Sequence, residues 1–257
     1  SRTWLRPNPL RNIPLESNEE TVIETGTDGY LFAKNFSKLL KSEIFINGHY
    51  QVQDPAARFA VKLLDPQPGE YILDLCSAPG GKTTQIAELM EDKGTVVATD
   101  LSLERLKKVA ENSHRLGLSI VQLLVKDGTT PFEKKFDRVL LDAPCSGTGI
   151  IGRHADARWR KKPEEIGKLA GTQYRLLYSA FDSLRAGGIL VYSTCSLEIE
   201  ENEQVVENFV ANTPMADIEP AQDYLTPSDQ AGRYFQAIPG QQAGDGAFAA
   251  RIRKRLA

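Results

Sequence analysis

Cysteine is scarce in this chain: Cys76, Cys145 and Cys195 are the only three in 257 residues. An odd, sparse set excludes a disulfide framework. No CxxC pair or Cys/His cluster occurs, and His49, His114 and His154 are scattered, so no metal site is expected. Long apolar runs are missing too. None approaches the roughly 20 residues that cross a bilayer, and no signal-peptide pattern opens the chain. The expectation is a reducing, cytoplasmic setting with no membrane association. Charge of one sign is also lacking. A net charge of −3 argues against a globally basic nucleic-acid binder and leaves a local basic patch for any polyanion. No internal repeat or low-complexity tract is present. What is present is ordinary hydrophobic content, 41%, enough for one large domain with a small extension, expected as a monomer.

Residues 1–45 differ from the rest. Arg2 to Leu10 is proline-rich and basic, Thr21–Ile23 and Tyr30–Phe32 read as short strands, and Lys34–Lys41 reads as a short helix. This stretch is expected to be an appendage to a main domain over 46–257. From about residue 55 the pattern becomes regular. Ala56–Leu64 reads as a helix ending before Pro66. Tyr71–Leu75 is a short apolar run of the kind a buried parallel strand shows. A glycine-rich turn and a helix over Lys82–Met90 follow, then a strand over Thr95–Thr99 ending at Asp100. Ser102–Leu116 is amphipathic, with Leu103, Leu106, Val109, Ala110 and Leu116 near helical spacing and Gly117 as its stop. Strands are read over Ile120–Val125 and Phe136–Leu141. A helix is read over Glu164–Leu184, which Gly187-Gly188 should break before a strand over Ile189–Thr194. Ile199–Val210 reads as the last helix, and Tyr234–Ile238 with Ala247–Ile252 as a terminal strand pair. Such alternation means an α/β fold with helices on both faces of a mostly parallel sheet. The late strand pair suggests an antiparallel edge. The expected fold is a Rossmann-like, seven-stranded sheet with that edge, and in this it resembles the class I S-adenosylmethionine-dependent methyltransferases.

The turn after the first strand of that sheet reads Asp74-Leu75-Cys76-Ser77-Ala78-Pro79-Gly80-Gly81-Lys82-Thr83. Glycines let backbone approach a ligand, and a helix amino end attracts negative charge. The dinucleotide pattern GxGxxG is absent. Gly81-Lys82-Thr83 supplies the end of a P-loop, but Cys76 stands where its first glycine belongs. S-adenosylmethionine remains, lying along Cys76 to Lys82. Acidic residues at successive strand ends support it. Asp100 is placed to accept ribose hydroxyls, Asp127 to meet the adenine amino group, and Asp142 to close the series. Each alone could be a turn former; together, in order, they favour a cofactor site.

Cys145 in Asp142-Ala143-Pro144-Cys145-Ser146-Gly147 and Cys195 in Ser193-Thr194-Cys195-Ser196 both follow apolar strands. Both thiols are thus expected at the carboxyl edge of the sheet. Methylating an exocyclic base nitrogen needs only a positioned lone pair. Methylating C5 of a pyrimidine is harder. A thiolate adding to C6 turns the ring into an enamine whose C5 attacks the methyl group. A carboxyl group near ring N3, here Asp142, would stabilise the developing charge. Spacing does not say which cysteine attacks. A lone cysteine is more often a small buried hydrophobe, the class to which Cys76 is assigned.

These pieces resemble the RNA cytosine-5 methyltransferases of the Fmu/Sun type, which include the NOP2/Sun proteins. The likeness is carried by Gln53 to Ala57, Asp74 to Thr84, Asp142 to Gly149, Thr194-Cys195-Ser196 with Glu201-Asn202, and Gly244 to Phe248, in family order. It covers about four fifths of the chain and implies small-subunit ribosomal RNA as substrate and S-adenosylmethionine as methyl donor. It implies Cys195 as nucleophile, Cys145 as the thiol aiding release, and Cys76, Ser77, Ala78, Pro79, Gly80, Gly81, Lys82, Asp100, Asp127 and Asp142 at the cofactor. Trp4 to Asn8 matches the opening of the family's RNA-binding subdomain. A helix-containing stretch before Thr21 and a preceding helical domain are expected to be absent. Ala155 stands where the family often has proline.

For RNA contact, Lys82, Arg153, Arg158, Trp159, Arg160 and Lys161, with Lys162, form a basic strip with one stacking aromatic just after the Cys145 loop. The bland reading is a solvated basic loop. Competing functions are the same chemistry on another RNA such as tRNA, a methyltransferase for protein or small molecules, and a catalytically silent RNA-binding module. Loss of the cysteine pair or of the glycine-rich loop would favour the last two, and neither is lost.

Overall fold

A computed structural model describes residues 3–11, 23–26, 29–153 and 163–256. At the amino end, β1 (Thr3–Pro7), β2 (Ile23–Thr25) and β3 (Leu31–Ala33) precede the one-turn helices α1 (Phe36–Leu39) and α2 (Glu43–Ile46) and then β4 (Tyr50–Val52). The four strands form an antiparallel sheet in the order β2-β3-β1-β4, with a small core of Leu5, Leu39 and Tyr50. So small a sheet needs support from a neighbour.

The main sheet follows. A short 3-10 turn at Pro55–Ala57, capped by the Asp54 carboxylate, leads into α3 (Arg58–Leu64). Then come β5 (Tyr71–Leu75), α4 (Gly81–Leu89), β6 (Thr95–Asp100), α5 (Leu103–Leu116), β7 (Val121–Val125) and β8 (Phe136–Asp142). They are followed by α6 (Pro163–Asp182), β9 (Leu184–Thr194), α7 (Glu203–Ala211), β10 (Ala216–Glu219), β11 (Phe235–Ala237) and β12 (Ala247–Lys254). The order is β10-β12-β9-β8-β5-β6-β7, with β11 beside β12. The strands from β5 to β9 run parallel, and β12 is antiparallel to β9, β10 and β11. Seven strands in line with an antiparallel edge match the expected architecture, and β11 adds a short eighth.

The apolar runs work because side chains alternate across the sheet. Leu73, Val139, Leu141 and Tyr192 join a core beneath α6 and α7 that includes Leu177 and Phe209. Ile72, Leu140 and Val191 enter the opposite core with Leu63 and Ile86 from α3 and α4. Both faces are covered, so these strands read as continuous apolar runs. Ser102 caps α5 by accepting from Arg105 N, and Gly117 ends it.

Three elements depart from the sequence reading. Gly187-Gly188 does not break a helix. The helix already stops at Asp182, because Ser183 O accepts from Phe136 N at 2.9 Å and Leu184 enters the core. The glycines lie in an irregular part of β9, where Phe136 pairs with Leu184 and Arg138 with Ile189. The last helix starts at Glu203 rather than Ile199, because Glu201 and Asn202 are turned inward beneath the cysteine loops. The edge strand β10 carries too few apolar residues to be read from sequence.

Candidate active site

The chemistry-bearing residues collect at the carboxyl edge because neighbouring strands end together. Asp142 lies opposite Ser193 in the β8–β9 register, and Ala143 N donates to Ser193 O at 2.8 Å. The chain then turns out of both strands, carrying Cys145 and Cys195 side by side. Their sulfurs are 3.1 Å apart. The hydrogen bond from Cys145 draws the Cys195 thiol below its ordinary range. Burial and the Asp142 charge oppose this, and the Lys82 ammonium assists it. The same hydrogen bond, with burial, pushes the Cys145 thiol well up. The pair is thus polarised towards a thiolate on Cys195 and a thiol on Cys145.

Lys82 is one residue into α4 and points over the edge of β8. Its Nζ donates to Asp142 Oδ2 at 2.7 Å, while Asp142 Oδ1 accepts from Ser193 Oγ at 2.8 Å. Burial opposes charge on Lys82, but the Asp142 carboxylate outweighs it and holds the ammonium above its ordinary range. Asp142 is thus held between Lys82 and Ser193 at the edge of the sheet. A cavity of about 230 Å³ opens here, lined among others by Lys82, Asp142, Cys195, Asp54, Asp245 and Phe248. Cys145 is not among its lining residues. The volume lies below the roughly 300–1,000 Å³ of drug-sized ligand pockets and suits a single flat ring.

The glycine-rich loop runs from β5 to α4. Ser77 N and Oγ both donate to Thr99 O, at 2.8 and 3.0 Å, which binds the loop to β6. Ala78 O and Pro79 O accept from Arg105 and Asn112 of α5. Gly80 has φ +100°, and a Cβ there would stand 3.0 Å from the Val109 backbone. The loop can thus pass close to α5 only without a side chain. Burial pushes the Cys76 thiol up to about 12, which marks it as an inert packing residue. Asp100 is buried at the end of β6. Its Oδ1 accepts from Ser102 N at 3.0 Å, whereas Oδ2 accepts no hydrogen bond and faces Arg105 at 3.3 Å. A buried carboxylate oxygen that is ion-paired but accepts no hydrogen bond, beside a tight glycine turn, fits the ribose of S-adenosylmethionine. Asp127 lies past the end of β7 and is exposed. Its Oδ1 accepts from Thr129 N and Oγ1, and these hydrogen bonds hold its carboxyl below the usual range.

Of the basic strip, Arg153 closes a 3-10 turn over Thr148–Arg153. Arg158, Trp159, Arg160, Lys161 and Lys162 lie outside the described residues. Sequence reasoning did not place Asp54, Asp245, Phe235 or Phe248 at the cavity, nor Glu201 and Asn202 beneath it. The signal for five of these was already present, since Asp54, Asp245, Phe248, Glu201 and Asn202 stand in the motifs that carry the resemblance. Asp54 Oδ1 accepts from both Ala56 N and Asp245 N at 2.9 Å, a link across 191 residues that no local pattern reveals.

Comparison with known proteins agrees with this geometry. A family model described as 16S rRNA methyltransferase RsmB/F matches residues 61–253. Ribosomal RNA small subunit methyltransferase B of Klebsiella pneumoniae (strain 342) is 41% identical over 215 residues, 82% of this chain and 48% of that protein. The chain thus spans about half the length of the curated relatives it matches. The crystal structure of PH0851 superposes with a TM-score of 0.89 at 34% identity, over 98% of this chain and 59% of that one. NSun6 from Pyrococcus horikoshii, solved with SFG, gives 0.75 at 33% identity, over 84% of this chain and 56% of that one. Because the family match runs from α3 through β12 and takes in the loop, the ion pair and both cysteines, the chain belongs to the 16S rRNA methyltransferase RsmB/F family.

Proposed function

We propose that this chain methylates C5 of a cytosine in small-subunit ribosomal RNA through a covalent bond between Cys195 and ring C6. The observation that carries this reading is the asymmetry of the thiol pair. Cys195 lines the cavity with its thiol lowered, and Cys145 stands 3.1 Å away, outside the lining, with its thiol raised. The better nucleophile is the sulfur that the substrate can reach. Cys195 attacks C6, and the ring's 5,6 electron pair moves towards C5. The Lys82–Asp142 pair faces the ring and stabilises the charge that develops on it. S-adenosylmethionine, when bound, supplies the methyl group. The Cys145 thiol, 3.1 Å from the Cys195 sulfur, gives its proton to that sulfur as it leaves C6, and the Cys145 thiolate so formed takes the proton lost from C5.

The residues fit that cofactor. Cys76 to Lys82 cradles it through the backbone, Asp100 offers to the ribose an oxygen that accepts no hydrogen bond, Asp142 sits at the reacting end and Asp127 at the adenine end. RNA contacts fall to Lys82, Arg153, Arg158, Trp159, Arg160 and Lys161. The amino-terminal segment serves as an RNA-binding appendage to the methyltransferase domain. No helix among the described residues is long and apolar enough to cross a membrane.

The test is a pair of variants. Cys195→Ala abolishes methyl transfer with cofactor binding kept. Cys145→Ala accumulates an RNA–protein adduct that denaturing gels resolve. Full activity in the first, or normal turnover without adduct in the second, overturns the assignment of that cysteine. Bisulfite mapping of 5-methylcytosine in ribosomal RNA and tRNA decides the substrate.

A further inference from the structure

Beneath the two cysteines lies a carboxylate that the reaction does not touch. Glu201 is fully buried and does not line the cavity. Among the described residues no cation pairs with it. A buried carboxylate without a counter-ion persists only where hydrogen-bond donors satisfy it. Here the donors come from both cysteine loops. Ser146 N donates to Glu201 Oε1 at 2.8 Å, and Gln173 Nε2 of α6 donates to the same oxygen at 3.0 Å. Ser196 Oγ donates to Oε2 at 2.5 Å, and Ser146 Oγ bonds to that oxygen as well. Ser146 follows Cys145 and Ser196 follows Cys195, so one side chain grips the residue after each thiol.

The bracket is itself anchored. Tyr192 donates its hydroxyl to Glu201 O at 2.5 Å. Asn202 Oδ1 accepts from Thr194 Oγ1 at 2.6 Å, and Asn202 Nδ2 donates to Ser196 O at 2.9 Å. Gln173 also reaches Pro144 O at 3.0 Å. The β8–β9 ladder aligns the chain only as far as Ala143 and Ser193. Beyond it both thiols ride on loops, joined on one side by Gly149 N donating to Cys195 O at 3.0 Å, and a second fixed point is needed if two sulfurs are to keep a hydrogen-bonding distance. A carboxylate suits the task because it accepts on both oxygens and donates nothing.

We propose that Glu201 is a positioning residue, which ties the Ser146 and Ser196 ends of the two loops together and so keeps Cys145 in hydrogen-bonding reach of Cys195. This rests on the reading of Cys195 as the attacking sulfur. The other charged groups at the Cys195 cavity are Lys82 from α4, Asp142 from β8, Asp54 before α3 and Asp245 before β12. None of these is altered in the variants below, and loss of the Glu201 charge would by itself lower the Cys195 thiol, so a rise reports its spacing from Cys145.

The experiment is the pH profile of iodoacetamide alkylation of Cys195, read by peptide mass spectrometry without RNA, in parent, Glu201→Ala and Glu201→Gln. In Glu201→Ala the midpoint rises by about one pH unit, which is about a tenfold loss of thiolate. In Glu201→Gln the shift is smaller, since the amide oxygen still accepts from Ser146 N and the serine hydroxyls can turn to accept. Affinity for S-adenosylmethionine stays within about twofold in both. A profile that superposes on the parent's overturns the proposal, as does a parallel fall in thiol reactivity and cofactor binding, which would make Glu201 a general fold residue. If Glu201→Ala does not fold, Ser196→Ala removes one donor and is read by the same outcomes. Methyl transfer by the parent is scored separately, so failure of the assigned reaction and failure of this proposal are distinct results.

Discussion

At the scale of single residues, the site places charge where water cannot reach. Asp74, fully buried at the end of β5, is the sharpest case. Burial pushes its carboxyl up to about 7, against a hydrogen bond from Thr83 Oγ1 to Oδ2 at 2.5 Å, and Oδ1 has no partner. The folded state therefore favours the protonated acid, while the unfolded chain ionises near 4. A raised carboxyl contributes stability that is complete below the unfolded value and is lost as pH rises through the folded one. Between pH 5 and pH 8 this group costs on the order of 3 kcal/mol, because about 1.4 kcal/mol per unit accrues only up to the folded value. Asp74→Asn cannot ionise, and its amide oxygen can still accept from Thr83. We expect the variant to match the parent at pH 5 and exceed it at pH 8. Urea midpoints at the two pH values check this, and an equal gap at both would remove Asp74 as the cause.

At the scale of elements, the glycine-rich loop and the helix behind it act as one unit. Gly80→Ala would place a β-carbon 3.0 Å from Val109 Cα at a φ of +100°, a conformation that costs a side-chain-bearing residue about 1–3 kcal/mol. The loop must then retreat from α5. We expect a loss of about tenfold or more in S-adenosylmethionine affinity with the thiol pair unaffected, measured by calorimetry alongside Cys195 alkylation. A variant binding the cofactor as the parent does would show that the loop's path is not set by that contact. The loop was legible in sequence because its constraint is local: two glycines after a short apolar run and before Lys82. The same holds for α5, whose Ser102 cap and Gly117 stop are written in adjacent residues. The cysteines were legible because each closes an apolar run. What stayed hidden was set by partners far along the chain. Glu201 and Asn202 look like the first turn of a helix until Ser146, Ser196 and Thr194 are seen to claim their side chains. Asp245 gives no local sign that Asp54 will hold its backbone. The irregularity around Gly187-Gly188 exists only in register with β8.

At the scale of the whole molecule, the amino-terminal sheet is joined to the cofactor helix by one buried cation. Arg6 leaves β1 and grips Glu88 of α4 through Nε to Oε2 at 3.0 Å and Nη2 to Oε1 at 2.9 Å. It also donates to Thr84 Oγ1 at 3.1 Å and, through Nη1, to Gln53 Oε1 at 2.5 Å and Gly81 O at 2.9 Å. The last of these sits beside Lys82, so the sheet steadies the turn from which the Lys82 ammonium projects. Burial drives the Glu88 carboxyl up, and Arg6 is its chief counterweight. Arg6→Met strands that carboxylate. Breaking a buried pair from one side costs roughly 3–5 kcal/mol. With Arg6 gone, Glu88 rises further. The penalty therefore appears as pH climbs through its folded value and fades at lower pH, where the group is neutral in both states. Arg6→Met should fall further below the parent at pH 8 than at pH 5 in urea unfolding. The double variant Arg6→Met/Glu88→Leu removes the stranded charge and should regain most of the stability, because apolar groups of similar volume replace buried ion pairs at little cost. It does not restore the donor to Gly81 O, so its cofactor affinity should remain below the parent's. If stability and affinity recover together, the pair serves the fold alone and the amino-terminal sheet has no hold on the cofactor turn.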